Sequence, residues 1–301
     1  MNLITIPKEF KYIAVFPTMR CNLNCSFCLN ALDKSKKFQR TKFREIPGEQ
    51  WIAALNRLVS RPEVPVTFSG GEPFLHKDFI NIINNIKPEL NIDILTNLQW
   101  GEEGIRKFIQ EVSPERIKRQ ALYPSIRVSY HPEQMDAAKL VENVKKLQDA
   151  GFSIGIYSVQ YPSPQQLQAI TQMQFRCLDA GVLFRLKDFT GEFKGELYGD
   201  YSKYTGALNS APLSETKECL CRNSDLIIGP DGNVYKCHRD LYGEEFPIGN
   251  LTNPEFNMLY EFRRCSKFGE CHPCDVKFKT NYKQQLGHTS VEIKEIPKTI
   301  L

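Results

Sequence analysis

The run Tyr12-Ile13-Ala14-Val15-Phe16-Pro17-Thr18-Met19-Arg20-Cys21-Asn22-Leu23-Asn24-Cys25-Ser26-Phe27-Cys28 sets the reading of the whole chain. Its first five residues form a short apolar stretch of strand length, which predicts a buried strand. That strand feeds a loop carrying three cysteines spaced C-x3-C-x2-C. Three thiols on one tight loop are an incomplete ligand set, because a cysteine-held iron–sulfur cluster ordinarily takes four. A cubane seated here would keep one iron for something other than protein. Zinc is the alternative, since short cysteine spacings also suit a tetrahedral ion. Zinc would want a fourth ligand close by, and the next histidine downstream, His76, is far along the chain.

A second motif, Ser69-Gly70-Gly71-Glu72-Pro73, follows the strand-like Val66-Thr67-Phe68. Two glycines let a backbone approach a ligand closely, and Glu72 offers an acceptor for an amine. Taken together, C-x3-C-x2-C with the aromatic Phe27 before its third cysteine, and Gly-Gly-Glu-Pro at a strand end, resemble the radical S-adenosylmethionine (SAM) superfamily. The resemblance implies that Cys21, Cys25 and Cys28 hold a 4Fe–4S cluster whose free iron is chelated by the amino and carboxylate groups of SAM. It implies that Phe27, Gly70, Gly71, Glu72 and Pro73 belong to the cofactor-binding surface, with Gly70, Gly71 and Glu72 at the SAM amino group. It further implies an external one-electron reductant, such as flavodoxin or ferredoxin, and cleavage of SAM to a 5′-deoxyadenosyl radical. In such chemistry the cofactor reacts and the protein positions it and excludes water.

At 301 residues with 41% apolar and 25% charged residues, the chain reads as an ordinary globular protein with a sizeable core. A net charge of +4 is too mild to argue for nucleic acid. No apolar stretch has the length of a signal h-region or a membrane span. Ten cysteines without a secretory segment point to a reducing cytoplasm, where clustered cysteines bind metal more often than they pair.

Helical and strand-like patterns then alternate. Trp51, Leu55, Leu58 and Val59 predict one helical face, and Phe79, Ile82, Ile83 and Ile86 a second. Residues 92–96 predict a strand, 105–112 a helix, 126–130 a strand, 140–147 a helix ending at Gly151, 154–159 a strand, 167–173 a helix and 183–186 a strand. Strands separated by helices imply parallel βαβ units. The expected fold is α/β, a partial (β/α)6 TIM-like barrel over residues 1–190, of the kind radical SAM proteins have. Ligands of such folds sit at the carboxyl ends of the strands, where Asn97, Ser129 and Gln160 fall. By the resemblance, Asn97 or Ser129 would reach the SAM ribose or carboxylate, and Gln160 its adenine or the substrate.

Residues 191–214 change texture and predict a linker. Beyond it lie Cys219, Cys221, Cys237, Cys265, Cys271 and Cys274. Leu226-Ile227-Ile228 and Asn233-Val234-Tyr235 flank Pro230-Asp231-Gly232, a β-hairpin with turn chemistry at its tip. Residues 215–280 resemble the twitch domain, a shortened relative of the SPASM domain. The resemblance makes Cys221, Cys237, Cys271 and Cys274 ligands of a second 4Fe–4S cluster. Zinc is again the alternative, and so is Cys219 in place of Cys221, because residues two apart on a strand share a face. A spare Cys219 or Cys265 could return a hydrogen atom to a substrate radical, as in radical SAM epimerases. Cys177 reads as a plain buried thiol, and residues 281–301 as a polar tail.

The expected function is hydrogen abstraction from a small polar substrate of sugar, aminocyclitol or nucleotide type, giving dehydrogenation or epimerisation. A first strand by residue 12 leaves no room for a leading peptide-recognition domain, which sets a ribosomal peptide second. A rival from another class is a zinc protein binding nucleic acid through the basic stretch from Lys34 to Arg44, but it leaves Gly-Gly-Glu-Pro and the βα pattern unexplained.

Overall fold

The computed structural model describes residues 2–28, 43–189, 191–198, 218–267, 291–294 and 296. The chain opens with β1 (Ile4–Thr5) and β2 (Tyr12–Val15). After the cysteine loop come α1 (Gly48–Leu55), β3 (Leu58–Val59), β4 (Val66–Phe68), α2 (Phe79–Asn85) and β5 (Ile92–Thr96). Next are α3 (Gly101–Glu111), α4 (Pro114–Ile117), β6 (Ile126–Tyr130), α5 (Ala137–Asp149), β7 (Ile154–Gln160), α6 (Pro164–Asp179) and β8 (Phe184–Asp188). The remainder comprises β9 (Gly191–Phe193), β10 (Glu196–Tyr198), β11 (Cys219–Asn223), β12 (Asp225–Ile228), β13 (Asn233–Tyr235), α7 (His238–Gly243), β14 (Pro247–Asn250), β15 (Arg263–Cys265) and β16 (Val291–Lys294). No helix among the described residues is long and apolar enough to cross a membrane.

Among the described residues nine strands form the main sheet in the order β14-β13-β12-β2-β4-β5-β6-β7-β8. From β2 to β8 every neighbour is parallel, as the alternation of helix and strand requires. All six strands therefore end on one side, and the cysteine loop leaves β2 on that side. The predicted hairpin forms, with Gly232 at φ +79° in its turn. It does not stand apart, because β12 pairs in parallel with β2 and extends the main sheet. A separate sheet, β15-β11-β16, carries Cys219, Cys221 and Cys265, and Val291–Lys294 of the expected tail is one of its strands.

Periodicity explains the core. Ile13, Val15, Val66, Phe68, Ile92, Ile94, Ile126, Val128 and Ile156 alternate along their strands and pack in one cluster with Trp51, Phe79, Phe108, Leu140, Val144 and Met173 from the helices. Each such side chain contributes about 1.5–3 kcal/mol when fully buried. One sequence expectation is corrected here. Leu58 and Val59 do not continue the first helix, which closes at its C-cap Asn56; they pair in parallel with Ile4 and Thr5. Leu58 still reaches the core, fully buried, so a helical spacing was satisfied by a strand.

Candidate active site

Beyond β2, residues 17–20 run alongside the end of β4. Ser69 N donates to Val15 O at 2.8 Å, Gly71 N to Thr18 O at 3.1 Å and Glu72 N to Arg20 O at 2.8 Å. A Cβ on Gly70 would meet the Thr18 carbonyl, and one on Gly71 the Arg20 and Met19 carbonyls. Gly70 also sits at φ +130°, which side chains rarely adopt. The two glycines let the segment that leads into the cysteine loop pass close against the end of β4. The Cys21, Cys25 and Cys28 thiols are all partly exposed, and Cys28 N closes a turn onto Cys25 O at 3.2 Å. The loop is gripped from the β6–α5 connection: Gln134 Oε1 accepts from Asn24 N at 2.7 Å and Glu133 Oε1 from Ser26 N at 2.6 Å. No sequence signal pointed to Glu133 or Gln134, which come close only through the fold.

Glu72, expected as an amine acceptor, is engaged by the chain's own donors. It is fully buried, and both carboxylate oxygens are taken. Oε1 accepts from Phe74 N at 3.2 Å, Thr96 Oγ1 at 2.9 Å and Trp100 Nε1 at 3.0 Å; Oε2 accepts from Asn97 N at 2.7 Å and Thr96 Oγ1 at 3.0 Å. Burial raises its pKa, and the hydrogen bonds pull it only part of the way back. Phe74 stacks on Trp100 with ring centroids 4.1 Å apart, beside the neighbouring Pro73, which is buried at the first position of a 3-10 turn. Glu72 and Pro73 therefore join the end of β4 to the end of β5.

Asn97, expected near SAM, contacts the cysteine loop in this structure. Its Nδ2 donates to Asn22 Oδ1 at 2.7 Å and to Cys21 Sγ at 3.7 Å. Phe27 is buried between two rings, stacked on Tyr161 at 4.7 Å and tilted against His131 at 5.5 Å. Burial pushes the His131 imidazole down to about 4, so it is neutral near pH 7. Tyr161 meets Phe189 and Phe193 edge-on at 5.0 Å each, making an aromatic wall beside the loop. Ser129 and Gln160 remain at the strand ends, half-buried and exposed respectively.

The second cysteine group is drawn together by register. Cys219 faces Cys265 across β11 and β15, and Cys221 follows on the same face of β11. The three thiols hydrogen-bond one another. Hydrogen bonding to Cys219 and Cys221 holds the Cys265 thiol well below its ordinary range, and contacts with Cys219 and Cys265, together with burial, raise Cys221. Cys219 is drawn down by Cys221, but its bond to Cys265 and its burial outweigh this and push it up to about 12. Cys237 and Lys236 line the same cavity, of about 20 Å³. The Lys236 ammonium pairs with Asp240 at 3.2 Å, and the Cys237 sulfur caps α7 by accepting from Asp240 N at 3.5 Å.

Cys219 and Cys265, read in the sequence as spare thiols, thus stand together with Cys221 and Cys237. The signal that could have found Cys265 is weak, because nothing in the spacing announces a strand at Arg263–Cys265. Cys271 and Cys274 lie outside the described residues, as does most of the Lys34–Arg44 stretch. Cys177 is buried on α6, its thiol pushed up to about 11 by burial. Among the described residues no group of three or more His, Cys, Asp or Glu side chains is already arranged around a common metal position. The donor chemistry nevertheless fits: three accessible thiols on one loop, and four thiols on one cavity with an ammonium beside them.

A family model, "Radical SAM superfamily", matches residues 15–170, more than half of the 301-residue chain. The chain belongs to the radical SAM superfamily. It is 22% identical over 185 residues to a GTP 3′,8-cyclase of Sulfurovum sp. (strain NBC37-1), covering 59% of this chain and 54% of that one. It is 30% identical over 90 residues to the sporulation killing factor maturation protein SkfB of Bacillus subtilis (strain 168), covering 29% and 20%. These matches thus span little more than half of their relatives' length at most. Among solved structures, native anSMEcpe with bound AdoMet and a Kp18Cys peptide superposes with a TM-score of 0.50 at 14% identity, over 80% of this chain and 78% of that one. That likeness shows an α/β fold. Family membership brings SAM and a 4Fe–4S cluster as cofactors.

Proposed function

We propose that this chain cleaves SAM reductively at a 4Fe–4S cluster held by Cys21, Cys25 and Cys28, in a partial (β/α)6 barrel, and takes a hydrogen atom from a small polar substrate. The observation that carries this reading is the locking of the cysteine loop onto Gly70–Gly71 at the strand ends. When bound, the cofactors supply one-electron cleavage of SAM to methionine and a 5′-deoxyadenosyl radical, which leaves as 5′-deoxyadenosine after taking the hydrogen. The chain's own residues frame that event. Tyr161, Phe189 and Phe193 wall the Phe27 side of the loop. Ser129, Gln160 and Lys187, whose ammonium lies 5.3 Å over the Tyr157 ring, offer polar and cationic contacts at the mouth. Relatives named GTP 3′,8-cyclase support the nucleotide end of the sugar, aminocyclitol and nucleotide range. A ribosomal peptide is the second reading, favoured by the peptide bound in the structural relative.

The later cysteines act in this reading as a twitch-like auxiliary centre. Among the described residues its thiols are Cys219, Cys221, Cys237 and Cys265; Cys271 and Cys274, expected as ligands from the sequence, lie outside the described residues. The place of Cys219 among other thiols favours a ligand over a hydrogen donor, and so dehydrogenation over epimerisation. The substrate radical would lose an electron to this centre and a proton to solvent. A cavity of about 20 Å³ has room for one ion or one water, which favours a structural zinc as the alternative occupant. The test is anaerobic incubation of iron-loaded protein with dithionite and SAM. Equal yields of 5′-deoxyadenosine and methionine are expected, lost in Cys25→Ala. No cleavage by iron-loaded wild-type protein would overturn the reading.

A further inference from the structure

The turn after β5 is built to aim one amide at one sulfur. Asn97 is 6% exposed and its side chain is fixed at both ends. Its Oδ1 accepts from Gln99 N at 2.8 Å. A backbone N–H can only donate, so the oxygen and nitrogen of the amide are assigned without ambiguity. Nδ2 then directs one hydrogen to Asn22 Oδ1 at 2.7 Å and the other toward Cys21 Sγ at 3.7 Å. Asn22 returns the contact by donating Nδ2 to Gln99 O at 2.7 Å. The backbone of Asn97 is tied to the buried Glu72.

The intervening Leu98 lies at φ +55°, a left-handed conformation that branched side chains avoid, yet it is fully buried. Such a conformation costs on the order of 1–3 kcal/mol and persists only where its surroundings enforce it. Here Thr96 Oγ1 accepts from Leu98 N at 2.8 Å, and Glu72 holds Thr96. The strained turn thus has an identifiable product, the fixed aim of Asn97.

We infer that Asn97 is a positioning residue that donates a hydrogen bond to the Cys21 sulfur of the cluster and raises the cluster's reduction potential. The inference rests on Cys21 being a cluster ligand. Hydrogen bonds to cluster sulfurs are among the protein's means of setting the potential. One added electron increases the negative charge on those sulfurs, so a donor stabilises the reduced form more than the oxidised one. Leu23 N also donates to Cys21 Sγ, at 3.4 Å, but that bond belongs to the loop itself. The bond from Asn97 comes from another strand and is removable by substitution.

The test is an EPR-monitored redox titration of the reconstituted full chain and of Asn97→Leu, which keeps the branched shape and removes the donor. The signal followed is the one that shifts when SAM is added. At a fixed applied potential the ratio of reduced to oxidised cluster should fall about three- to tenfold, tenfold being about 59 mV for a one-electron couple, with iron content unchanged. An unshifted potential at full iron content would overturn the inference. Should the variant fail to hold iron, pulsed EPR of wild-type protein grown with asparagine labelled with 15N in the side chain decides instead. A weak 15N coupling to the reduced cluster supports the hydrogen bond, and its absence refutes it. Wild-type protein that takes up no iron would sink the ligand assignment of Cys21 itself, a different failure from an unshifted potential.

Discussion

Replacing Glu72 by Gln separates an anchor from a SAM ligand. The carboxylate collects donors from Phe74 N, Thr96 Oγ1, Asn97 N and Trp100 Nε1. A Gln that keeps Oε1 toward Phe74 and Trp100 turns an NH2 toward Asn97 N, donor against donor at 2.7 Å. One hydrogen bond to a charged acceptor, worth about 1.5–3 kcal/mol, is lost, and a buried N–H is left unsatisfied at about 1–3 kcal/mol. Relief of the burial cost that raises the Glu72 pKa offsets part of this. The net expectation is about 2–3 kcal/mol of destabilisation. Urea unfolding of the metal-free protein, followed by tryptophan fluorescence, reads it directly, since one of the chain's two tryptophans, Trp100, binds this carboxylate. Glu72→Asp, too short to span all four donors, should lose a similar amount. Unchanged unfolding midpoints together with a large loss of SAM affinity in loaded protein would refute the anchor and restore the amine contact.

Gly71→Ala drives a Cβ into the carbonyls of Arg20 and Met19, backbone atoms that cannot swing aside; at least about 2 kcal/mol of stability and much of the iron uptake should be lost, as measured by unfolding and iron assay. Arg57→Met strips a buried guanidinium from the carbonyls of Asn2 (2.9 Å), Leu251 (3.0 Å), Asn253 (2.7 Å) and Pro254 (2.8 Å), and should cost about 3 kcal/mol or more without changing iron content per folded molecule. His131 is held neutral, its folded pKa near 4 against 6.5 unfolded. The unfolded chain therefore binds the extra proton between those values, and stability is full above pH 6.5 and falls as pH drops toward 4, by on the order of 3 kcal/mol at most. In His131→Phe that part of the pH dependence of unfolding should vanish.

The parallel strands and their helices were legible because apolar residues repeat with the period of each element, as in Ile126–Tyr130 and Leu140–Leu147. Both motifs were legible for the same reason: each is local in sequence. The roles within them were less so. Glu72 and Asn97 look like free polar groups at strand ends, and only the approach of β5 to β4 shows that their hydrogen-bonding capacity is spent on the scaffold. The second cysteine group shows the same limit. The hairpin was readable from Pro230-Asp231-Gly232, but the register that sets Cys219 opposite Cys265 joins segments far apart in the chain. Leu58 and Val59 failed for a different reason, since two residues carry no period of their own.

The measurement closest to the centre of this account is iron, sulfide and zinc content with Mössbauer spectra of anaerobically purified protein, for the native chain and a Cys21/Cys25/Cys28→Ala variant. The account predicts about eight irons in the native chain and about four in the variant, the sum and remainder for two cysteine-ligated cubanes. About four irons plus one zinc, with the iron lost in the variant, would keep the radical centre and assign the Cys219–Cys265 group to zinc. Iron content unaffected by loss of the three cysteines would contradict the account.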